Sequence, residues 1–231
     1  MNQITQYRRR ILFTKGEAIK YISHLDLAKT LERTFRRAEL PLLYSQGYNP
    51  RPKLALASAL PVGVAGAREV MDIWLSAPMK PEECLERISA QTPPGIRVLD
   101  VWEADLRQSS LQSLTRWSVY KIAVDPVPED LDARIADLLA QESVMRERVR
   151  KRKVKTYDLR PLVDDIWRVP GHPEQIEMRL ANRSGATGRA DEVAAALGLK
   201  DHVVGITRKR LIFADGVLAE THAPSNKGEQ A

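Results

Sequence analysis

Residues 8–15 read Arg-Arg-Arg-Ile-Leu-Phe-Thr-Lys and stop at Gly16, a β-type run closed by a turn residue. A helix start follows. Ser23 has the right chemistry for an N-cap, and Asp26 stands three residues on, where its carboxylate returns the capping hydrogen bond. Ile22 and Leu27 flank the cap as a hydrophobic staple. Leu27, Leu31, Phe35 and Ala38 then recur at helical spacing, with Lys29, Arg33, Arg36 and Arg37 mainly on the other side, and Pro41 ends the helix. Residues 44–53 hold two prolines and a glycine, which predicts a fixed loop. A strand is expected to begin at Leu54, and a second loop at residues 61–66. Another strand is expected at 69–75, a helix at 81–91 and a strand at 96–102.

The pattern then restarts after residues 105–115, which are polar and rich in Ser and Gln. A strand is expected at 117–124 and a helix at 130–140, with Leu131, Ile135, Leu138 and Leu139 on one side. An extended basic stretch covers 144–162, followed by a strand at 175–180, a short helix at 189–199 and a last strand at 203–213. Both halves read strand, helix, strand, strand, helix, strand, the order of a ferredoxin-like unit. The expected fold is therefore α+β, two tandem ferredoxin-like (βαββαβ) domains. Their expected bounds are 1–104 and 116–216, with a linker at 105–115 and a flexible tail at 217–231.

Composition narrows the classes. With 231 residues and 43% hydrophobic positions the chain has material for one large or two small cores. No apolar run reaches the roughly 20 residues a membrane helix needs, and the basic N-terminus has no apolar stretch of a secretory signal behind it. The expected location is cytoplasmic. Cys84 is the only cysteine, so one chain cannot build a disulfide or a Cys-rich metal or iron–sulfur site. Cys84 reads as a small buried residue, and His172, His202 and His222 lack metal-ligand spacing. No metal and no cofactor are expected in this chain.

The net charge of +6 permits a polyanionic partner, and its distribution says more than its size. Lys29, Arg33, Arg36 and Arg37 repeat at three to four residues and project as a row. Arg51 and Lys53 lie on the loop that carries Tyr44 and Tyr48, and cations interleaved with aromatic rings suit single-stranded RNA. Residues 146–155 hold seven basic side chains, among them Arg148, Arg150, Lys151, Arg152, Lys153 and Lys155. Such a block repels itself and calls for a polyanion or a solvated arm. His24 and Asp26, beside the free N–H groups of a helix start, are the candidate acid–base pair.

The segments Ile22-Ser23-His24-Leu25-Asp26-Leu27, Arg33, Arg36-Arg37-Ala38, Leu40-Pro41-Leu42, Tyr44-Ser45-Gln46-Gly47-Tyr48-Asn49-Pro50-Arg51-Pro52-Lys53 and Pro61-Val62-Gly63 stand in this order. They resemble the signature of the radical-SAM-associated (radical-SAM-linked) protein family, a bacterial domain found alone or fused to a radical SAM protein. The resemblance extends over about residues 8–213. In the second half it rests on Tyr157-Asp158-Leu159-Arg160-Pro161-Leu162 and Gly188-Arg189-Ala190-Asp191-Glu192-Val193. It implies an association rather than a reaction: a radical SAM protein as partner, and RNA or a ribosomal complex as the linked target. It transfers no catalytic residues. The expected function is an accessory protein that binds RNA or a ribosome-linked target for that partner, with no membrane association and no preference for DNA. Two alternatives stand beside it. One is an RNA-processing or RNA-modifying enzyme using His24 and Asp26, and the other is a protein–protein adaptor.

Overall fold

A computed structural model describes residues 6–150 and 153–214. The first half contains β1 (Tyr7–Lys15), α1 (His24–Arg37), β2 (Leu54–Leu56), β3 (Ala65–Leu75), α2 (Pro81–Ser89) and β4 (Ile96–Glu103). A short α3 (Leu111–Leu114) leads into the second half. There β5 (Thr115–Val124), α4 (Leu131–Ala140), β6 (Met145–Arg150), β7 (Lys153–Asp158), β8 (Val163–Val169), β9 (His172–Arg183), β10 (Ala186–Thr187), α5 (Ala190–Ala196) and β11 (Val203–Phe213) follow.

The fold is α+β, built on a large and mostly antiparallel sheet. In the large sheet the strands of the first half lie in the order β4-β1-β3-β2, and those of the second in the order β11-β5-β9, with both β8 and β10 pairing with β9. The halves meet where β3 and β11 pair in parallel, at Ala65 with Thr207 and Gly66 with Arg208. Sheet pairing thus runs without a break from β4 to β10.

Helix α1 starts as its cap predicts. The Asp26 backbone N–H donates to Ser23 Oγ at 3.2 Å, and Ser23 Oγ–H donates to Asp26 Oδ2 at 2.7 Å. Leu27, Leu31 and Phe35 are buried against Ile11, Phe13, Met71 and Ile73 of the sheet. Glu39 just past the helix takes a positive φ of 54°, the left-handed conformation that ends many helices. Helices α1 and α2 cover one face of the first half. On the same face of the second half α4 and α5 pack on Ile122, Met178 and Leu180. A third cluster lies on the opposite face and joins Leu12 and Val70 to Leu111, Leu211 and Phe213.

Three expectations change. Residues 144–162 are not one strand of the sheet: β6 and β7 form their own two-stranded sheet, and β8 takes the place beside β9. A bulge hides β8 from the sequence pattern. The register shifts between Val163 and Asp165, so Asp164 and Asp165 both face solvent between buried Val163 and Ile166. Residues 105–115 are tied down, because Arg8 donates to the carbonyls of Asp105, Gln108 and Ser109, and Leu111 is fully buried. Strand β3 begins at Ala65, inside the expected loop. The expected tail, 217–231, lies outside the described residues. Among the described residues, no helix is long and apolar enough to cross a membrane.

Candidate functional site

Two regions carry chemistry, at opposite ends of α1. A 14-residue helix is about 21 Å long. His24 and Asp26 sit at its start, beside the beginning of β3, where Gly63 N–H donates to Lys20 O. The 44–53 loop sits past its other end, beside the finish of β3. There Leu43 N–H donates to Trp74 O, Trp74 N–H to Lys53 O, and Lys53 N–H to Leu43 O.

At the start of α1, Asp26 is exposed and its carboxylate accepts from Ser23, which is helix-cap chemistry. His24 is half-buried. Burial, aided by the charge of Arg208, holds its imidazole below the ordinary range and hence neutral at pH 7. Behind it lies a set of buried polar groups absent from the sequence-based candidates. Arg208 on β11 donates to Glu69 on β3 through Nε (2.9 Å) and Nη2 (2.5 Å), and both side chains are almost wholly out of water. Burial works against the guanidinium charge, but Glu69 outweighs it and pushes the Arg208 pKa upward. Arg208 also donates to the carbonyls of Ser58 and Ala59, and Ser58 exchanges hydrogen bonds with Asn182, which donates to Ser118. Lys15 donates to Lys20 O at 2.8 Å and Ile22 O at 3.2 Å, fixing the approach to α1. Burial lowers the Lys15 pKa, with Glu69 opposing. This network joins the halves, and its donors are consumed by the protein itself.

Toward the other end, the helix row and the aromatic loop come together. The Arg36 guanidinium lies 5.9 Å from the centre of the Tyr44 ring and pairs with Glu32 at 2.7 Å. Lys29 reaches Asp26 only at 4.0 Å, and Arg37 donates to Gln91 O. Arg33 and Arg51 are exposed and pair with no carboxylate among the described residues. Tyr44 is 41% exposed and Tyr48 100%. Lys53 Nζ stands 4.6 Å above the Trp74 ring. Trp74 read in the sequence only as a strand residue, because nothing local shows that the loop returns to it.

The basic stretch forms the β6–β7 hairpin. Its register sets Arg148 opposite Lys155 and Arg150 opposite Lys153, and Lys151 and Arg152 lie outside the described residues. The hairpin ends at Asp158 and leads to β8, whose Val163 pairs with Leu180. Leu180 pairs with Ser118, and Ser118 with Leu211 near the finish of β11. Since β3 and β11 run parallel, hairpin and loop lie toward the same end of the sheet. The structure therefore brings the α1 row to the loop through Arg36 and Tyr44, leaves Lys53 over Trp74 on the other face of the sheet, places the hairpin toward that end, and sets His24 and Asp26 apart.

Cys84 is fully buried, and burial pushes its thiol up to about 11, with the Arg9 charge opposing, so its reactive thiolate is suppressed. Among the described residues, no three His, Cys, Asp or Glu side chains gather as a metal site would require.

A bacterial family model described as an uncharacterized protein conserved in bacteria matches residues 8–190. The chain belongs to DUF2344. That match covers the whole candidate region, from the buried arginines of β1 through the 44–53 loop and the hairpin. No curated protein matches this DUF2344 chain in sequence. Among solved structures, one similar chain comes from the crystal structure of a Cbf5-Nop10-Gar1 complex, at 12% identity and a TM-score of 0.41. The match covers 87% of this chain and 48% of that one, so this chain spans about half its length. The acetolactate synthase small subunit from Thermotoga maritima is similar at 12% identity and a TM-score of 0.23, covering 91% and 96% of the two chains. Likeness at this level carries no functional argument.

Proposed function

We propose that this DUF2344 protein binds single-stranded RNA, on the surface formed by the row on α1 and the 44–53 loop, with the β6–β7 hairpin as a second phosphate contact. The observation that carries the reading is Tyr48: a ring fully in water on a loop of cations that have no carboxylate partner among the described residues. Rings presented to solvent offer a stacking face to any base, worth ~1–3 kcal/mol each, while unmatched guanidinium groups meet phosphates. The hairpin supports the same reading. Seven of residues 146–155 are basic, and phosphates would relieve that crowding of charge. An acidic protein surface would meet the same cations and would also bury the Tyr48 ring, so the choice between the two partners rests on the binding test.

The architecture belongs to this proposal: two ferredoxin-like units joined edge to edge through β3 and β11. The chemistry on the bound RNA falls to a partner, and the radical SAM protein implied by the sequence resemblance is the partner we propose. Cys84, the one thiol of the chain, is buried away from any shared site.

Fluorescence anisotropy with a single-stranded RNA at two or more salt concentrations tests the reading. Each phosphate contact contributes about 0.7 to the slope of log K against log salt for single strands. Replacing Arg33, Arg36 and Arg51 together by alanine should lower that slope by about 2, and Tyr48→Ala should weaken binding at an unchanged slope. Absence of binding at low salt ends the RNA reading. Binding of an acidic protein but not RNA would favour the adaptor.

A further inference from the structure

Behind the 44–53 loop, on the face of the sheet away from α1, lies a cavity of about 320 Å³. Its size is at the low end of the roughly 300–1,000 Å³ of small-molecule sites. Trp74, Lys53, Gln6, Leu106, Gln108 and Arg8 are among its lining residues. Of its lining residues Arg8 and Lys53 are cationic and Asp72 is acidic. Arg8 and Arg10 share the single carboxylate of Asp72, through contacts of 2.5 Å and 2.8 Å, and all three side chains are buried. Lys53 adds a third cation and has no carboxylate partner among the described residues; its one side-chain bond runs to Gln6 Oε1 at 3.3 Å.

The roles of these cations differ. Every nitrogen of the Arg8 guanidinium is already engaged: Nε and Nη2 with Asp72, Nη1 with Asp105 O and Gln108 O, and Nη2 also with Ser109 O. Arg8 therefore holds the far wall in place and supplies field rather than a grip. Lys53 is exposed and lies over the Trp74 ring, which the Arg8 guanidinium also faces at 5.3 Å; Lys53 can turn off the ring onto an incoming anion without breaking a buried bond, and so give a base the place it leaves. The apolar part of the site is the half-buried Trp74 indole and Leu106, a leucine left 52% exposed. A ligand that satisfies all of this has a flat, apolar-faced ring and an attached anion.

We propose that this cavity accepts one unpaired nucleotide, its base against Trp74 and Leu106 and its phosphate on Lys53. The proposal rests on the RNA reading above, since the backbone of Trp74 is bonded to the loop that carries Tyr44, Tyr48 and Arg51. The cavity would hold one base of a strand lying over that loop.

The test uses the full chain and 2-aminopurine riboside 5′-monophosphate, whose fluorescence is quenched when its base stacks. Quenching that saturates is expected with the unaltered protein. Lys53→Ala should weaken it at least tenfold and Trp74→Leu should abolish it, whereas Lys200→Ala, at an exposed position outside both proposed surfaces, should leave it unchanged. Circular dichroism checks that Trp74→Leu is folded, and the exposed Lys53 keeps the test decisive if it is not. Saturable quenching that disappears with free phosphate as competitor, but is equally strong in Trp74→Leu, would show an anion site with no base subsite and overturn the proposal. Separate titrations with a single-stranded RNA distinguish the two readings. RNA bound equally by the unaltered protein and Lys53→Ala, with no monophosphate quenching, overturns the cavity and spares the RNA surface. Monophosphate bound without RNA spares the cavity and overturns the surface.

Discussion

Removing Arg208 would strand the Glu69 carboxylate in a part of the sheet that water does not reach, because the two side chains are bonded to one another there. Losing one member of a buried ion pair costs about 3–5 kcal/mol, whereas replacing both by apolar groups is often close to neutral. Arg208→Met should therefore lower stability to denaturant by that amount. The double variant Glu69→Leu/Arg208→Met should recover part of the loss, with a remainder set by the Ser58 and Ala59 carbonyls that also accept from Arg208. Equal destabilisation in single and double variants would show that the carbonyl contacts, not the ion pair, hold the junction. The sequence conceals this chemistry for a physical reason. A charged residue on a strand ordinarily marks the solvent side, and here Arg8, Arg10, Asp72, Glu69 and Arg208 are all buried, each with a partner more than sixty positions away. The candidates that were legible, Tyr44 to Lys53, are surface groups on one loop, where neighbours in sequence are neighbours in space.

Among the elements, those with local signals were readable. The Ser23 cap, the spacing of Leu27, Leu31 and Phe35, and Pro41 beyond them locate α1 with no help from the rest of the chain. Strand β8 was not readable, because its bulge puts two aspartates in a row where alternation calls for one. The basic stretch was visible as charge, but its pairing with itself, apart from the sheet, was not. That independence makes it removable. Among the described residues its base is tied to the fold, through Val144 N–H to Asp158 Oδ1, Leu159 N–H to Val144 O, and Tyr157 against the second core. Replacing residues 147–156 by Asn-Gly, which closes a two-residue hairpin, keeps Arg146 opposite Tyr157. Thermal melting should then change by no more than a few degrees, while the salt slope of RNA binding falls. A large drop in melting temperature would mean that the hairpin is part of the core, and an unchanged slope would remove it from the binding surface.

At the scale of the molecule, the two halves are coupled by more than the short parallel pairing of β3 with β11. Leu60 and Val64 of the first half are buried in the core of the second. Leu12 and Val70 share a cluster with Leu211 and Phe213, and Arg8 anchors the chain between the halves. Opening the junction would expose all of these groups at once and break the Arg208–Glu69 pair in the same event. A partly unfolded state with one half intact would carry that whole cost and recover the chain entropy of only the other half. Scanning calorimetry should therefore show a single transition in which calorimetric and van't Hoff enthalpies agree. A fragment of residues 1–104 alone, with the Leu12 and Val70 face bare, should fail to give a cooperative melt. Two resolved transitions in the full chain, or a well-folded fragment, would mean that the halves are independent and that the buried network between them adds little. The surface proposed for RNA lies almost wholly on the first half. The core under α1 is made by the first half alone, while the second half covers the opposite face of the sheet through Leu211 and Phe213 and adds the hairpin toward the same end.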